Sequence, residues 1–127
     1  MVSPPVIYRP AILLFPHVFN TFFTIIPSPY ADIRLIAENT KHVVVTAQNM
    51  DSLKPGRGMG AVLPESLVEA GAKAVVLNHA ENQKTLAELF ACITRAKELG
   101  LITIVCADST TESKAVAEWL FSIFHRF

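Results

Sequence analysis

With 127 residues, the chain is long enough for one domain with its own core and too short for two. Eleven basic and eleven acidic residues give a formal net charge of zero, which removes any bulk attraction to nucleic acid or to an anionic membrane. The hydrophobic share of 51% is high for a soluble domain, and Cys92 and Cys106 lack any paired or metal-type spacing, which fits a reducing compartment.

The charge is unevenly spread. Arg9 is the single charged residue among the first thirty, which hold six of the eight prolines, and all 11 acids lie between Ala31 and Glu118. Two kinds of sequence therefore meet near Tyr30: an apolar, Pro-rich segment over 1–30 and a second part over 31–127. The run Ala11–Ile26 is apolar enough to raise a membrane or export question. Pro16, His17 and Asn20 interrupt it, it is short for a bilayer span, and no small-x-small cleavage pattern precedes Ala31. Neither a spanning helix nor a signal peptide is expected, and the expected location is the cytoplasm.

Phe22–Ile26 fits a first buried strand. Three further runs are β-branched and unbroken: His42–Ala47, Ala74–Asn78 and Leu101–Cys106. Continuous apolar runs of this length indicate strands buried on both faces, as in a parallel sheet. Between them, Pro64 suits a first helical position and Gly71 closes that helix. Asn82 is expected to cap the next helix, with Leu86, Leu89, Phe90, Ile93 and Ala96 as its buried stripe and Gly100 as its stop. Ser109 and Glu112 have the spacing of a capping box, and Val116, Trp119, Leu120 and Ile123 then form an apolar face.

Strand starts recur about every thirty residues, the length of one βα unit. The expected class is α/β, with about four parallel strands and crossover helices. Periodicity does not separate a barrel segment from a small doubly wound sheet. No Gly-rich fingerprint follows a strand, and the loop Lys54–Gly60 lacks the Lys-Ser/Thr ending of a phosphate-gripping loop.

Function in such folds gathers at the carboxyl ends of the strands. Those ends read Ala47-Gln48-Asn49, Asn78-His79-Ala80-Glu81 and Cys106-Ala107-Asp108. His79 follows a buried strand and precedes a helix start, where orphan N–H groups and the positive helix end disfavour an imidazolium. A neutral imidazole held there donates a hydrogen bond to a carbonyl, which assists removal of a proton from the adjacent carbon. The competing account is a polar residue satisfied by loop backbone. The histidines at 17, 42, 79 and 125 share no ligand spacing, so neither a metal site nor a cofactor is expected.

The run Asn78-His79-Ala80-Glu81-Asn82, after Ala74-Val75-Val76-Leu77, resembles the Asn-His-Ser-Glu-Asn signature of archaeal-type triosephosphate isomerases. Ala31–Asn39, Ala47-Gln48 with Asp51 and Lys54-Pro55-Gly56, Leu63-Pro64-Glu65, Glu69–Ala72 and Ala96–Leu101 resemble that family in the same order. The resemblance implies a partial TIM (β/α)8 barrel. It also implies interconversion of glyceraldehyde 3-phosphate and dihydroxyacetone phosphate through an enediol(ate), an isomerase step of glycolysis and gluconeogenesis. A neutral histidine electrophile is a known device of this family rather than a deduction from this sequence. Carried over, His79 is the electrophile, Glu81 the supporting carboxylate that pairs with the family's lysine, and Gln48 and Asn78 are substrate contacts. The loop Pro55–Gly60 is the one that reaches a second subunit. Glu81 has a plainer account as a helix-start acid favoured by the dipole.

The departures are specific. The family's base is a glutamate after the sixth strand, beyond the position of Phe127, and its first strand ends in Asn-x-Lys, whereas no lysine here precedes Lys41. Pro5-Val6-Ile7-Tyr8-Arg9 is taken as the remnant of that first strand, and a guanidinium at Arg9 does not replace a positioned ammonium. Ala80 stands where the family has serine, and Met59 where it has threonine. The expectation is a chain weakly active or inactive by itself, a truncated reading frame or one half of a split barrel. The alternative is a noncatalytic remnant that serves as an interaction or membrane-associated fragment. An incomplete barrel leaves two strand edges and an apolar inner face, which the Phe-rich head and the tail Trp119–Phe124 are expected to cover in part.

Overall fold

The computed structural model of the chain describes residues 6–7 and 24–124. Most of the apolar run Ala11–Ile26, with His17 and His125, lies outside the described residues. Five strands form one sheet: β1 (Val6–Ile7), β2 (Thr24–Ser28), β3 (Val43–Ala47), β4 (Ala74–Leu77) and β5 (Ile102–Val105). Their lateral order is β1-β5-β4-β3-β2. Strands β2 to β5 run parallel, each beside its predecessor in the chain. A doubly wound sheet reverses direction at a switch point; this walk never does, which is the connectivity of a barrel segment. The expected α/β class with four parallel strands is therefore present. The composition break near Tyr30 does not divide the sheet, because β2 lies before it and pairs along its whole length with β3.

One expectation is corrected at the sheet edge. A remnant of the barrel's first strand would lie parallel beside β2. Val6 and Ile7 instead pair antiparallel with Val105 and Ile104, on the opposite edge. An open strand edge carries unmet N–H and C=O groups, and a two-residue ladder satisfies some of them whatever the barrel order. Tyr8 and Arg9 lie outside the described residues.

The helices are α1 (Ile33–Asn39, entered through a 3-10 turn at Tyr30–Asp32), α2 (Pro64–Ala70), α3 (Leu86–Glu98) and α4 (Thr110–Phe124). Pairing register puts Val45, Ala47, Val75, Leu77 and Val105 on one face of the sheet. Against them pack Ile33, Leu67, Leu89, Ile93, Val116 and Leu120, so helices from all four units share one core. Leu77, Leu89, Ile93 and Leu120 are essentially removed from water, each burial contributing about 1.5–3 kcal/mol. The other face carries Pro27, Val44, Thr46, Ala74, Val76 and Ile104, the side that points into a barrel. The tail does not cover that face. Val116 and Leu120 of α4 join the helix-side core, and Trp119 stacks on Phe90 of α3 with centroids 4.7 Å apart.

Helix ends follow local chemistry. Gly71 takes φ +104°, and the N–H of Ala72 reaches back to Leu67 C=O at 2.9 Å, a left-handed C-terminal turn. Asn82 does not cap α3. Thr85 does, its hydroxyl accepting from Glu88 N–H at 3.2 Å, while Asn82 N–H is spent on His79 C=O at 2.7 Å. The α3 stripe also shifts: Leu86 is 43% exposed and Cys92 is fully buried in its place. Ser109 caps α4 through Glu112 N–H, but Glu112's carboxylate reaches past it to Asp108 N–H at 2.8 Å, so the capping box is only half formed. Arg95 links α3 to α2 through Glu65 and also bonds Glu98 at 2.5 Å. Among the described residues no helix is long and apolar enough to cross a membrane.

Candidate active site

At the carboxyl end of β4 the chain turns sharply. Asn78 takes φ +61°, a left-handed conformation that asparagine tolerates better than most residues. The next residue, His79, is held by its own turn: Glu81 N–H donates to Nδ1 at 3.2 Å, and His79 C=O accepts from Asn82 N–H at 2.7 Å. A nitrogen that accepts an N–H carries its lone pair. In the neutral imidazole the proton is then on Nε2, which becomes the ring's donor. The Glu81 carboxylate also lies 3.6 Å from Nδ1, but its side chain is 91% exposed and water screens it.

His79 opens onto a cleft of about 340 Å³ lined by Pro27, Tyr30, Gln48, Asn49, Glu81 and Asn82, with Val76 beneath. These residues come from the ends of β2, β3 and β4. Three of the four expected site residues, His79, Glu81 and Gln48, are therefore brought together. Glu81 is not a helix-start acid, since α3 begins at Leu86 and its first-turn acid is Glu88. Asn78 is placed apart from them. It is 6% exposed and is not among the cleft-lining residues. Its Nδ2 donates to Cys106 C=O at 2.9 Å and to Glu112 Oε1 at 3.2 Å, and its Oδ1 accepts from Lys84 N–H at 2.8 Å.

Two cleft residues were not singled out from sequence. Burial pushes the Tyr30 phenol up, an effect opposed by the Asn49 side chain that bonds it and reinforced by Asp51. Asn49 is 7% exposed, and its Oδ1 finds no partner among the described residues. Applying the strand-end rule to β2 as well as to the other three strands locates Tyr30, and Asn49 simply follows Gln48.

Behind the cleft a buried polar group ties the loop after β3 to α3. Lys84, with a side chain 6% exposed, lies 3.8 Å from Asp51. Asp51 closes the loop base through Val62, N–H to carboxylate at 2.7 Å, and Glu88 accepts from Ser52 N–H at 3.3 Å. Cys92 adjoins this group. Burial above all pushes its thiol up to about 12, so it is inert packing rather than a nucleophile. The loop beyond projects Met59 fully into solvent. No cluster of three or more His, Cys, Asp or Glu suited to a metal occurs among the described residues.

A family model described as triosephosphate isomerase matches residues 17–123. The chain belongs to the triosephosphate isomerase family. It is 41% identical over 88 residues to the triosephosphate isomerase of Methanocaldococcus jannaschii, covering 69% of this chain and 40% of that one. It is 46% identical over 67 residues to that of Sulfurisphaera tokodaii, covering 53% of this chain and 29% of that one. The crystal structure of triosephosphate isomerase from Bartonella henselae superposes with a TM-score of 0.63 at 21% identity, covering 79% of this chain and 48% of that chain. This last likeness speaks for the barrel fold alone. The chain thus spans about two fifths of the length of the first of these relatives. Within the triosephosphate isomerase family the matched span begins ahead of Tyr30, in agreement with β2 belonging to the sheet.

Proposed function

We propose that these residues form the electrophile side of a triose phosphate isomerisation site that interconverts glyceraldehyde 3-phosphate and dihydroxyacetone phosphate. The observation that carries this is the Glu81 N–H bond to Nδ1 of a histidine that lines the cleft, His79, which leaves Nε2–H as the ring's donor. As a base removes the proton beside the carbonyl, charge moves onto the carbonyl oxygen. A preset N–H donor at that oxygen stabilises the enediolate more than the ketone. Glu81, exposed at the rim, fits the role of carboxylate partner to an ammonium, and Gln48 fits that of a substrate contact. Among the described residues no carboxylate besides Glu81 lines the cleft, which supports assigning the catalytic base to another segment of a complete barrel. The chain alone is therefore weakly active or inactive. The Pro55–Gly60 loop, with Met59 at its tip, meets a second copy of the chain, and the protein works in the cytoplasm.

The test is a coupled isomerase assay on the purified chain, alone and mixed with a fragment of a family member carrying the later barrel strands. Loss of general-base help costs about 10²–10⁴-fold, so the chain alone should fall at least that far below a complete barrel. Mixing should raise the rate, and His79→Gln should abolish the rise. Near-normal turnover by the chain alone would overturn the assignment of the base to another segment. A mixed rate indifferent to His79→Gln would overturn the assignment of the electrophile.

A further inference from the structure

We infer that Asn78 is a positioning residue for His79, a clasp that fixes the imidazole's direction and tautomer without touching substrate. This rests on His79 being the electrophile, as proposed above. The amide engages three separate pieces of backbone or side chain: the β5 end at Cys106, the first turn of α4 at Glu112, and the segment leading into α3 at Lys84. Glu112 is in turn fixed by Asp108 N–H at 2.8 Å, so the acceptor that Asn78 meets is itself held. The left-handed φ of +61° is the second half of the device. It redirects the chain where His79, the next residue, lines the cleft and Asn78 stays out of its lining.

The two contributions separate by substitution. Asn78→Gly keeps the left-handed backbone at no steric cost and deletes all three bonds. Asn78→Asp tolerates the same φ and keeps an acceptor for Lys84 N–H, but loses the donors and brings a carboxylate against Glu112. If Asn78 only stabilises the strand end, these variants lower the melting temperature and leave His79 unchanged in the folded molecules. If it positions His79, the folded variants lose the bond from Glu81 N–H, and the proton exchanges between the ring nitrogens.

Long-range ¹H–¹⁵N correlation spectra of the full chain at a pH where histidine is neutral read this directly. The His79 signals are assigned by their loss in His79→Gln. In the wild type we expect one tautomer, with Nδ1 unprotonated and Nε2 protonated. In Asn78→Gly we expect the two nitrogen shifts to converge towards averaged values, with Asn78→Asp moving the same way. Glu112→Ala, which removes one acceptor, serves if neither Asn78 variant folds, and it should produce part of that convergence. A variant with a native circular dichroism spectrum and the wild-type tautomer pattern would overturn the positioning role alone. Averaged shifts already in the wild type would instead overturn the Nε2–H donor account of His79, and the clasp's purpose with it.

Discussion

Gly71 and Gly100 offer a paired measurement of how α1 is seated. Both have left-handed backbone, with φ +104° and +73°. A Cβ on Gly71 would lie 2.5 Å from Cβ of Ala37 in α1, whereas one on Gly100 meets nothing within 4 Å. Left-handed φ costs an L-residue roughly 1–2 kcal/mol, and that alone is the expected loss in Gly100→Ala. Gly71→Ala adds an overpacking cost of about 1–3 kcal/mol. Ala37's methyl is fixed to helix backbone and has no rotamer to escape into, so α1 itself must shift. The total for Gly71→Ala is then about 2–5 kcal/mol. With a urea m-value of about 2 kcal/mol/M, the midpoint falls by roughly 0.5–1 M in Gly100→Ala and by roughly 1–2.5 M in Gly71→Ala.

Far-UV circular dichroism against urea gives both midpoints. Ala37→Gly should partly rescue Gly71→Ala, because it removes the opposing methyl at a helix-propensity cost of about 1 kcal/mol. The expected coupling between the two sites is about 1–3 kcal/mol. Equal midpoints for the two single variants, or zero coupling between positions 37 and 71, would refute the close contact of α1 with the end of α2.

Three more expectations follow from other parts of the structure. Because Cys92's thiol is pushed from 9.0 to about 12 in the fold, the folded state holds that proton longer than the unfolded chain. Stability is full below pH 9 and declines between pH 9 and 12, by a contribution on the order of 4 kcal/mol that Cys92→Ala should remove from urea midpoints measured across that range. Thr85→Ala should cost about 1 kcal/mol through loss of the α3 cap, while Asn82→Ala leaves that cap intact; thermal melts of the two rank them. Arg95→Ala should cost about 2–3 kcal/mol by chemical denaturation, less than for a fully buried ion pair, since Glu65 and Glu98 keep a third to a half of their side-chain surface in water.

The parallel strands were legible because Val43–Val45 and Ala74–Leu77 are apolar at consecutive positions and Ile102–Val105 departs from that only at Thr103, a pattern that fits two covered faces. Pro64 and Gly71 announced α2 through backbone chemistry that acts locally. The start of α3 misled for an equally local reason: asparagine is a good cap in general, but Asn82 sits in the turn after His79, three residues short of the cap position, where Thr85 offers its hydroxyl. The antiparallel placement of Val6–Ile7 was illegible, because two residues carry no register and their partner strand lies about a hundred positions away. His79 stood out by its place after a strand. What was not legible is the turn that follows it, in which Glu81 N–H meets Nδ1 after an Asn78 φ of +61° that no composition rule supplies.

The site's two kinds of support differ in range, and that difference bears on what these residues do chemically. His79 is held by groups at positions 81 and 82, and Asn78 by groups at 84, 106 and 112. These hydrogen bonds around His79 and Asn78 thus all fall within the span from β4 to α4. Proton abstraction has no such locality, since a base must sit across the cleft at hydrogen-bond reach of a carbon-bound proton. A donor aimed at a carbonyl accelerates a reaction only insofar as it binds the enediolate more strongly than the ketone, and the enediolate exists only if the base acts. His79 can therefore be correctly oriented and contribute no rate at all. A tautomer spectrum and a turnover assay consequently measure independent properties of this chain, and a preserved Nε2–H with negligible turnover is the combination expected of it.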